Sequence, residues 1–181
     1  MACTLTNGRA LPYKDSVGGI KAVYFFNYGV EITEVAEVVT DIQASGGGAA
    51  TCFRYDVKGL TGFEETVNVS RDTGTRFYEQ VLSITLTKLD TTTRAQLKLM
   101  AYGRPQVVVS DFNGNAYLLG NENGMEVTSG TTTSGQGKGD LSGYTLVLTG
   151  QERKSANFIG DATASDPFAG TTTLVTVTAG T

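Results

Sequence analysis

Residues 63–88, FEETVNVSRDTGTRFYEQVLSITLTK, decide the fold because apolar and polar side chains alternate on both sides of a central turn. We expect Ser70 to pair with Thr75 across that turn. Phe63 then opposes Leu82, and most apolar side chains share one face, whereas a shift by one residue would mix the faces. The second predicted strand, about 14 residues long, exceeds the usual five or six, so it should project from its domain or join a larger sheet.

The other face of this predicted hairpin is polar. It carries carboxylate, amide and hydroxyl side chains, which alternate with the apolar ones. Its predicted members are Glu64, Thr66, Asn68, Ser70, Glu79, Ser83, Thr85 and Thr87.

Further strands are predicted before this hairpin. Residues 20–28 are apolar on both faces around Val23 to Phe26, which indicates a central strand buried on both sides. Residues 35–42 fit either a strand or a helical turn. Residues 51–57 form another predicted strand, and the preceding segment 43–50 contains Ser45, Gly46, Gly47 and Gly48, which favour a flexible loop.

One helix and four more strands are predicted after the hairpin. The helix spans residues 90–102, with Asp90 or Thr91 as its N-cap and Gly103 at its end. Leu97, Met100 and Ala101 lie within one turn of each other and can cover a sheet face. A tight two-residue turn at Asn113-Gly114 should then join strands formed by 107–109 and 117–119. The last predicted segments are a Gly/Ser/Thr loop at 129–139 and strands at 143–152 and 171–178.

These elements predict one mainly β domain over residues 1–181. Two packed antiparallel sheets, as in a β-sandwich or half-barrel, would carry one helix near 90–102 and the long hairpin at 63–88. Extended segments at the N-terminus (1–18) and C-terminus (153–181) flank the strands.

The charge pattern disfavours tight electrostatic binding of nucleic acid. The net charge is −4, and the 14 basic residues are scattered without a run. An acidic surface of this kind would let a polyanion pass without adhering. No apolar run approaches the ~20 residues of a membrane span, and no signal-peptide core is seen, so we expect folding in a cytoplasm without a membrane partner.

The sequence predicts no catalytic residue, no cofactor site and no metal site. The chain has no histidine to activate a serine or threonine. Asp111, Asn113 and Asn115 alternate as calcium ligands do, but a calcium loop needs glycine at its sixth position, and Gly114 is fourth. Cys52 is expected to be an ordinary buried thiol.

Two later segments resemble a known family. DFNGNAYLLGNENGMEVTSG at 111–130, followed by GDLSGYTLVLTGQE at 139–152, is similar to structural proteins of phage tails. Together with the long hairpin, the single helix after it and the extended termini, the chain resembles the tail tube proteins of tailed bacteriophages.

The resemblance implies a structural virion protein rather than an enzyme. In that family six subunits form a ring, rings stack into a hollow tube, and hairpins from neighbouring subunits line the channel through which DNA is ejected. It implies that the polar face of 63–88 lines the lumen, and that the loop 43–50 and both termini contact the next ring. Its partners would be further copies and other tail proteins, such as a sheath, a baseplate or a terminator, assembled in the bacterial cytoplasm.

Two alternatives stay open. A ring, baseplate or tail-completion protein of the same fold would share the domain but not the polymer. A carbohydrate-binding or adhesion β-sandwich would normally expose an aromatic platform, whereas the Tyr and Phe residues here follow strand patterns with core roles and tryptophan is absent.

Overall fold

A computed structural model describes residues 7–57 and 61–180, so Cys3 and the first six residues of the predicted N-terminal segment lie outside the described part. The elements are β1 Ile20–Phe26, β2 Glu31–Val35, β3 Val38–Gln43, β4 Thr51–Asp56, β5 Gly62–Ser70, β6 Thr75–Thr87, α1 Thr91–Tyr102, β7 Gln106–Asp111, β8 Ala116–Leu119, β9 Glu126–Thr133, β10 Gly143–Glu152, β11 Asn157–Ile159 and β12 Thr176–Ala179.

The strands form two sheets, which confirms the mainly β, two-sheet prediction. The large sheet has the order β12-β4-β1-β7-β8-β11-β3-β2, and the small sheet has the order β5-β6-β10-β9. The small sheet is antiparallel throughout. The large sheet is mixed, because β11 lies parallel to β3 and β12 parallel to β4. Neither parallel pair joins consecutive strands: β11 follows β10 of the small sheet, and β12 follows the long connection 160–175.

The hairpin of β5 and β6 has the predicted register. Ser70 pairs with Thr75, and the pairing continues in step to Phe63 opposite Leu82. Leu82 and Ile84 are fully buried, so the apolar face is the one that packs inward. The alternation in the sequence therefore sets which side of the hairpin meets the core.

The main core lies between the two sheets. Leu82, Ile84 and Leu148 of the small sheet pack against Val23 and Val107 of the large sheet. β1 lies between β4 and β7, and its side chains alternate between this core and a second one on the far side of the large sheet. The predicted central strand, buried on both faces, is confirmed.

The second core is covered by the chain between β11 and β12. Phe168 from this connection packs edge-to-face on Tyr24 at 5.2 Å and on Phe26 at 5.8 Å, measured between ring centroids. Asp41 holds the same connection, since its carboxylate accepts hydrogen bonds from the backbone N–H and the hydroxyl of Thr173. The C-terminal segment is thus packed on the domain at Phe168 and Thr173.

The helix α1 forms where the sequence predicts it. Asp90 is its N-cap and accepts a hydrogen bond from the Thr93 backbone N–H at 2.9 Å. Gly103 ends it, with its N–H donating to the carbonyls of the last turn. Leu97 is buried in the main core and Met100 packs against it, whereas Ala101 is exposed, so its predicted contact with a sheet is wrong.

The turn between β7 and β8 differs from the predicted two-residue turn. Ser110 pairs with Ala116, and the Asp111 N–H donates to the Asn115 carbonyl, so the loop contains three residues. Only Gly114 has positive φ, at 88°. The Asp111 carboxylate accepts the backbone N–H groups of Asn113 and Asn115, which stabilises a wider loop with a single left-handed residue.

The region 129–133 is strand β9 and not the start of a loop. Ser129 pairs with Val147 and Thr133 with Gly143, which makes β9 an edge of the small sheet. Threonine is β-branched and suits a half-exposed strand, so its strand preference outweighs the polar composition that suggested a loop.

Candidate functional site

The eight side chains predicted to form a polar surface share one face of the small sheet. Glu64 lies beside Val81, Thr66 opposite Glu79, and the remaining members occupy the same alternate positions of β5 and β6. This surface points away from the large sheet, because the intervening residues of β6 are those buried in the main core. We call it the outer face of the small sheet.

The outer face extends over β9 and β10, which the sequence analysis did not include. Thr145 lies between Thr85 and Thr131, and Val147 lies between Ser83 and Ser129. The Thr149 hydroxyl contacts the Thr128 hydroxyl of β9 at 3.0 Å. The alternation of 143–152 was visible in the sequence, but assigning 129–139 to a loop hid the fourth strand and its hydroxyl groups.

The charges on this face are all negative. Glu126, the first residue of β9, lies on the same face as Glu64 and Glu79. The strands β5, β9 and β10 contain no lysine or arginine. The single basic residue of β6, Arg76, lies on the opposite face, where its guanidinium sits 5.7 Å from the Tyr78 ring centroid. A polyanion near the outer face would therefore meet hydroxyls and carboxylates without a cation to hold it.

Buried Gln80 and half-buried Glu65, which pair across the long hairpin, bind it to the rest of the domain. Gln80 donates to the Glu65 carboxylate at 3.1 Å and accepts the Gly120 N–H at 2.9 Å. Glu65 also accepts the Ala156 N–H. Since buried amides and carboxylates without partners are costly, these bonds tie β5 and β6 to two connections of the domain.

The tip of the hairpin extends beyond the rest of the domain. The pairing of β6 with β10 ends at Tyr78, so the last three pairs of the hairpin have no third strand beside them. Val67 and Val69 are 52% and 69% exposed, although they lie on the same face as the core residues. The long hairpin therefore projects, as its length predicted, and it presents apolar surface that its own domain leaves uncovered.

The small sheet also has two open edges. β5 and β9 end the strand order, so each has one side that pairs with no other strand among residues 7–57 and 61–180. Strands with an open edge are templates for pairing with another chain. Both edges belong to the sheet that carries the polar outer face.

The predicted inter-ring loop is a hydrogen-bonded turn between β3 and β4. The Ala44 N–H donates to the Gly48 carbonyl, and the Gly46 N–H donates to the Glu31 carboxylate. Gly46, Gly47 and Gly48 all have positive φ, which explains why three glycines occur together. Its contact with a second ring remains a prediction.

Two glycine-rich or acidic loops have their polar groups satisfied locally. Asp140 accepts the N–H groups of Gln136 and Gly137, and these bonds lower the pKa of its carboxyl. The Asp111 carboxylate likewise accepts backbone N–H groups of the β7–β8 loop. Within the described residues no group of three or more His, Cys, Asp or Glu side chains could hold a metal ion.

Two buried groups have pKa values shifted by their surroundings. Burial raises the pKa of the Cys52 thiol to about 12, which keeps it protonated and inert, as an ordinary buried cysteine should be. Burial also raises the pKa of Glu152, whose carboxylate accepts the N–H groups of Glu122 and Asn123. Both lie away from the outer face, Cys52 in the second core and Glu152 on the inward side of β10.

Comparisons with protein-family models, with curated proteins and with solved structures find no match to this chain. Among the described residues no helix is long and apolar enough to cross a membrane.

Proposed function

We propose that the chain is a structural subunit of a bacteriophage tail tube, in which stacked hexameric rings form a channel for DNA. The observation that carries the proposal is the small sheet, which combines a hydroxyl- and carboxylate-rich outer face with two open edges. A channel wall made of repeated sheets requires both features.

The open edges supply the means of assembly. Pairing of β5 in one copy with β9 in the next would continue the sheet without leaving an edge. Six copies of a four-stranded sheet would supply about 24 strands, more than the 16–18 strands that enclose an aqueous channel in porins. The channel would therefore be wide, and the outer face would be its wall.

The charge of that wall suits passage of DNA. Duplex DNA carries one negative charge per ~1.7 Å of its axis, and lysine or arginine on the wall would retain it through its phosphates. Glu64, Glu79 and Glu126 repel phosphates, while serine and threonine hydroxyls keep the surface wet. DNA would pass without specific binding.

The projecting tip of the hairpin supports contact between copies. Val67 and Val69 lie beyond the domain's own core and would be covered by a neighbouring subunit. Exposed apolar surface on a strand ribbon is costly for an isolated molecule and useful at an interface. The protein would then reside in the virion tail, with other tail proteins as further partners.

Light scattering and electron microscopy over a concentration series test this function. We expect six-membered rings that stack into hollow tubes as the concentration rises. A closed ring that never stacks would favour a ring, baseplate or tail-completion protein. A strict monomer at the highest concentration would contradict the proposal and favour a carbohydrate-binding or adhesion domain.

A further inference from the structure

The described N-terminal segment carries apolar side chains that its own domain does not cover. Residues 7–16, which we call the arm, contain neither helix nor strand. Leu11 and Tyr13 are 97% and 92% exposed. Removing such side chains from water is favourable, so the arm holds apolar surface suited to an interface.

The arm leaves the domain at a fixed point. The Val17 N–H donates to the side-chain carbonyl of Asn113 at 2.9 Å, and the Asn113 side-chain N–H donates to the Val17 carbonyl at 2.8 Å. Ten extended residues beyond this anchor can span roughly 33–36 Å. The arm is therefore long enough to reach a second molecule.

A groove of about 530 Å³ lies at one end of the large sheet, between β12 and the connection that carries Phe168. Its lining includes Tyr24, Arg54, Asp166, Phe168, Leu174 and Val177. Leu174 is 78% exposed at its rim, which leaves apolar surface facing solvent. β12 is also the outermost strand of the large sheet, so its free side can accept another strand.

We propose that the arm of one copy docks along β12 of a second copy, with Leu11 and Tyr13 in this groove. The proposal rests on the proposed tube function and names one of its contacts between copies. In an extended chain Leu11 and Tyr13 lie two residues apart and therefore point to the same side. Pro12 lies between them and lacks an N–H, which an added edge strand tolerates.

The charges of the two surfaces are complementary. The arm carries Arg9 and Lys14 against a single carboxylate, Asp15. In the groove, Arg54 is already neutralised by Asp56 at 2.7 Å. Asp166 accepts the Phe168 N–H and has no ion pair within residues 7–57 and 61–180, so it is left to meet a basic side chain.

The groove is a better receptor for the arm than the polar sheet surface. The outer face of the small sheet intersperses a few apolar side chains with hydroxyls and carboxylates, whereas the groove gathers Phe168, Leu174 and Val177 in one lining. In the single molecule the arm extends into solvent and does not fill the groove of the same chain. In a polymer the arm of each copy can fill the groove of another copy, so every subunit makes the same contact.

Disulfide trapping tests the contact directly. In a Cys3→Ser background, Tyr13→Cys combined with Leu174→Cys should form a bond between copies under mild oxidation. Cys52 is buried with a pKa of about 12 and will not compete. A docked pair has an effective concentration on the order of millimolar, so at micromolar protein the link should form about a thousandfold faster than for an undocked pair.

The matched control combines Tyr13→Cys with Tyr102→Cys, an exposed position on α1. Selective linkage between copies at Leu174→Cys supports the proposal. Equal linkage at both positions, absent linkage, or a link within one monomer would overturn it. If tubes form without the selective link, the docking is wrong but the proposed function stands. If the protein stays monomeric and forms no tubes, the proposed function is contradicted as well.

A second variant avoids cysteine chemistry. Replacing Leu11 and Tyr13 with serine should leave the circular dichroism spectrum unchanged, because both side chains are solvent-exposed. The concentration needed for assembly should rise at least about tenfold. The control replaces Leu99 and Tyr102, exposed on α1, with serine. An unchanged assembly concentration in the arm variant would contradict the docking.

Discussion

The side-chain amide of Asn113 holds both backbone groups of Val17, donating one hydrogen bond and accepting the other. Asn113 is itself held by Asp111, whose carboxylate accepts its backbone N–H and its side-chain N–H. The β7–β8 loop is therefore the anchor from which the N-terminal arm leaves the domain.

Replacing Asn113 with alanine should release this anchor. Each lost hydrogen bond contributes about 0.5–1.5 kcal/mol, so the Val17 N–H should exchange with solvent about tenfold faster. Hydrogen exchange with mass spectrometry measures the change, and Asn68→Ala on the outer face is the control. Unchanged protection of Val17 would mean that the arm is held by other contacts.

The Asp41 carboxylate should make stability depend on pH. Desolvation alone would raise its pKa, but hydrogen bonds from Gln43, Thr173 and Ile42 outweigh it and hold the pKa below its ordinary value. A lowered folded-state pKa contributes stability above the unfolded pKa, near 4, and that contribution is lost as pH falls through the folded value.

Asp41→Asn should therefore lower the free energy of unfolding by about 1.5–3 kcal/mol at pH 7, with a smaller loss at pH 3. Urea denaturation at the two pH values measures both differences. Asp56→Asn, in an exposed ion pair with Arg54, is the control and should change stability by less than about 0.5 kcal/mol. An equal loss at both pH values would contradict the assigned role of Asp41.

The charge on the outer face should control the passage of DNA. With Glu64 and Glu79 both replaced by lysine, particles should assemble but eject DNA more slowly, because the wall now attracts phosphates. Added salt should partly restore the rate by screening. The control, Glu37→Lys with Glu122→Lys, makes the same charge change outside the small sheet. Loss of assembly in the first variant would mean that these glutamates lie at a subunit interface.

The turn at Gly46–Gly48 should matter for stacking and not for folding. A side chain at any of the three glycines would meet nothing within 4 Å, so the turn lies free at the surface. Deleting the three residues should shorten the tubes seen by electron microscopy while circular dichroism stays unchanged. Tubes of normal length would place the contact between rings elsewhere.

The long hairpin could be predicted from sequence because its information is local. Side chains alternate with period two, and the turn ties Ser70 to Thr75, so one register separates the apolar and polar faces. The same alternation identified the eight polar residues of β5 and β6. That they share one outer face is now a structural fact, while their place in a channel remains a prediction.

Other features depend on distant contacts and could not be predicted in this way. The parallel pairing of β11 with β3 and of β12 with β4 brings together segments that lie far apart in the sequence and show no periodic pattern. The size of the β7–β8 loop is set by the Asp111 side chain, which competes with the preference of Asn113-Gly114 for a tighter turn. The role of 129–133 as a strand depends on its partner β10.

The central claim, that the outer face of the small sheet lines a channel, is tested most directly by a cryo-electron microscopy reconstruction of the assembled protein. We predict six-fold rings in which β5 of one copy pairs with β9 of the next and Glu64 and Glu79 face the lumen. A reconstruction that places these two glutamates on the exterior or in a subunit contact, or a protein that forms no ring at any concentration, would contradict the account.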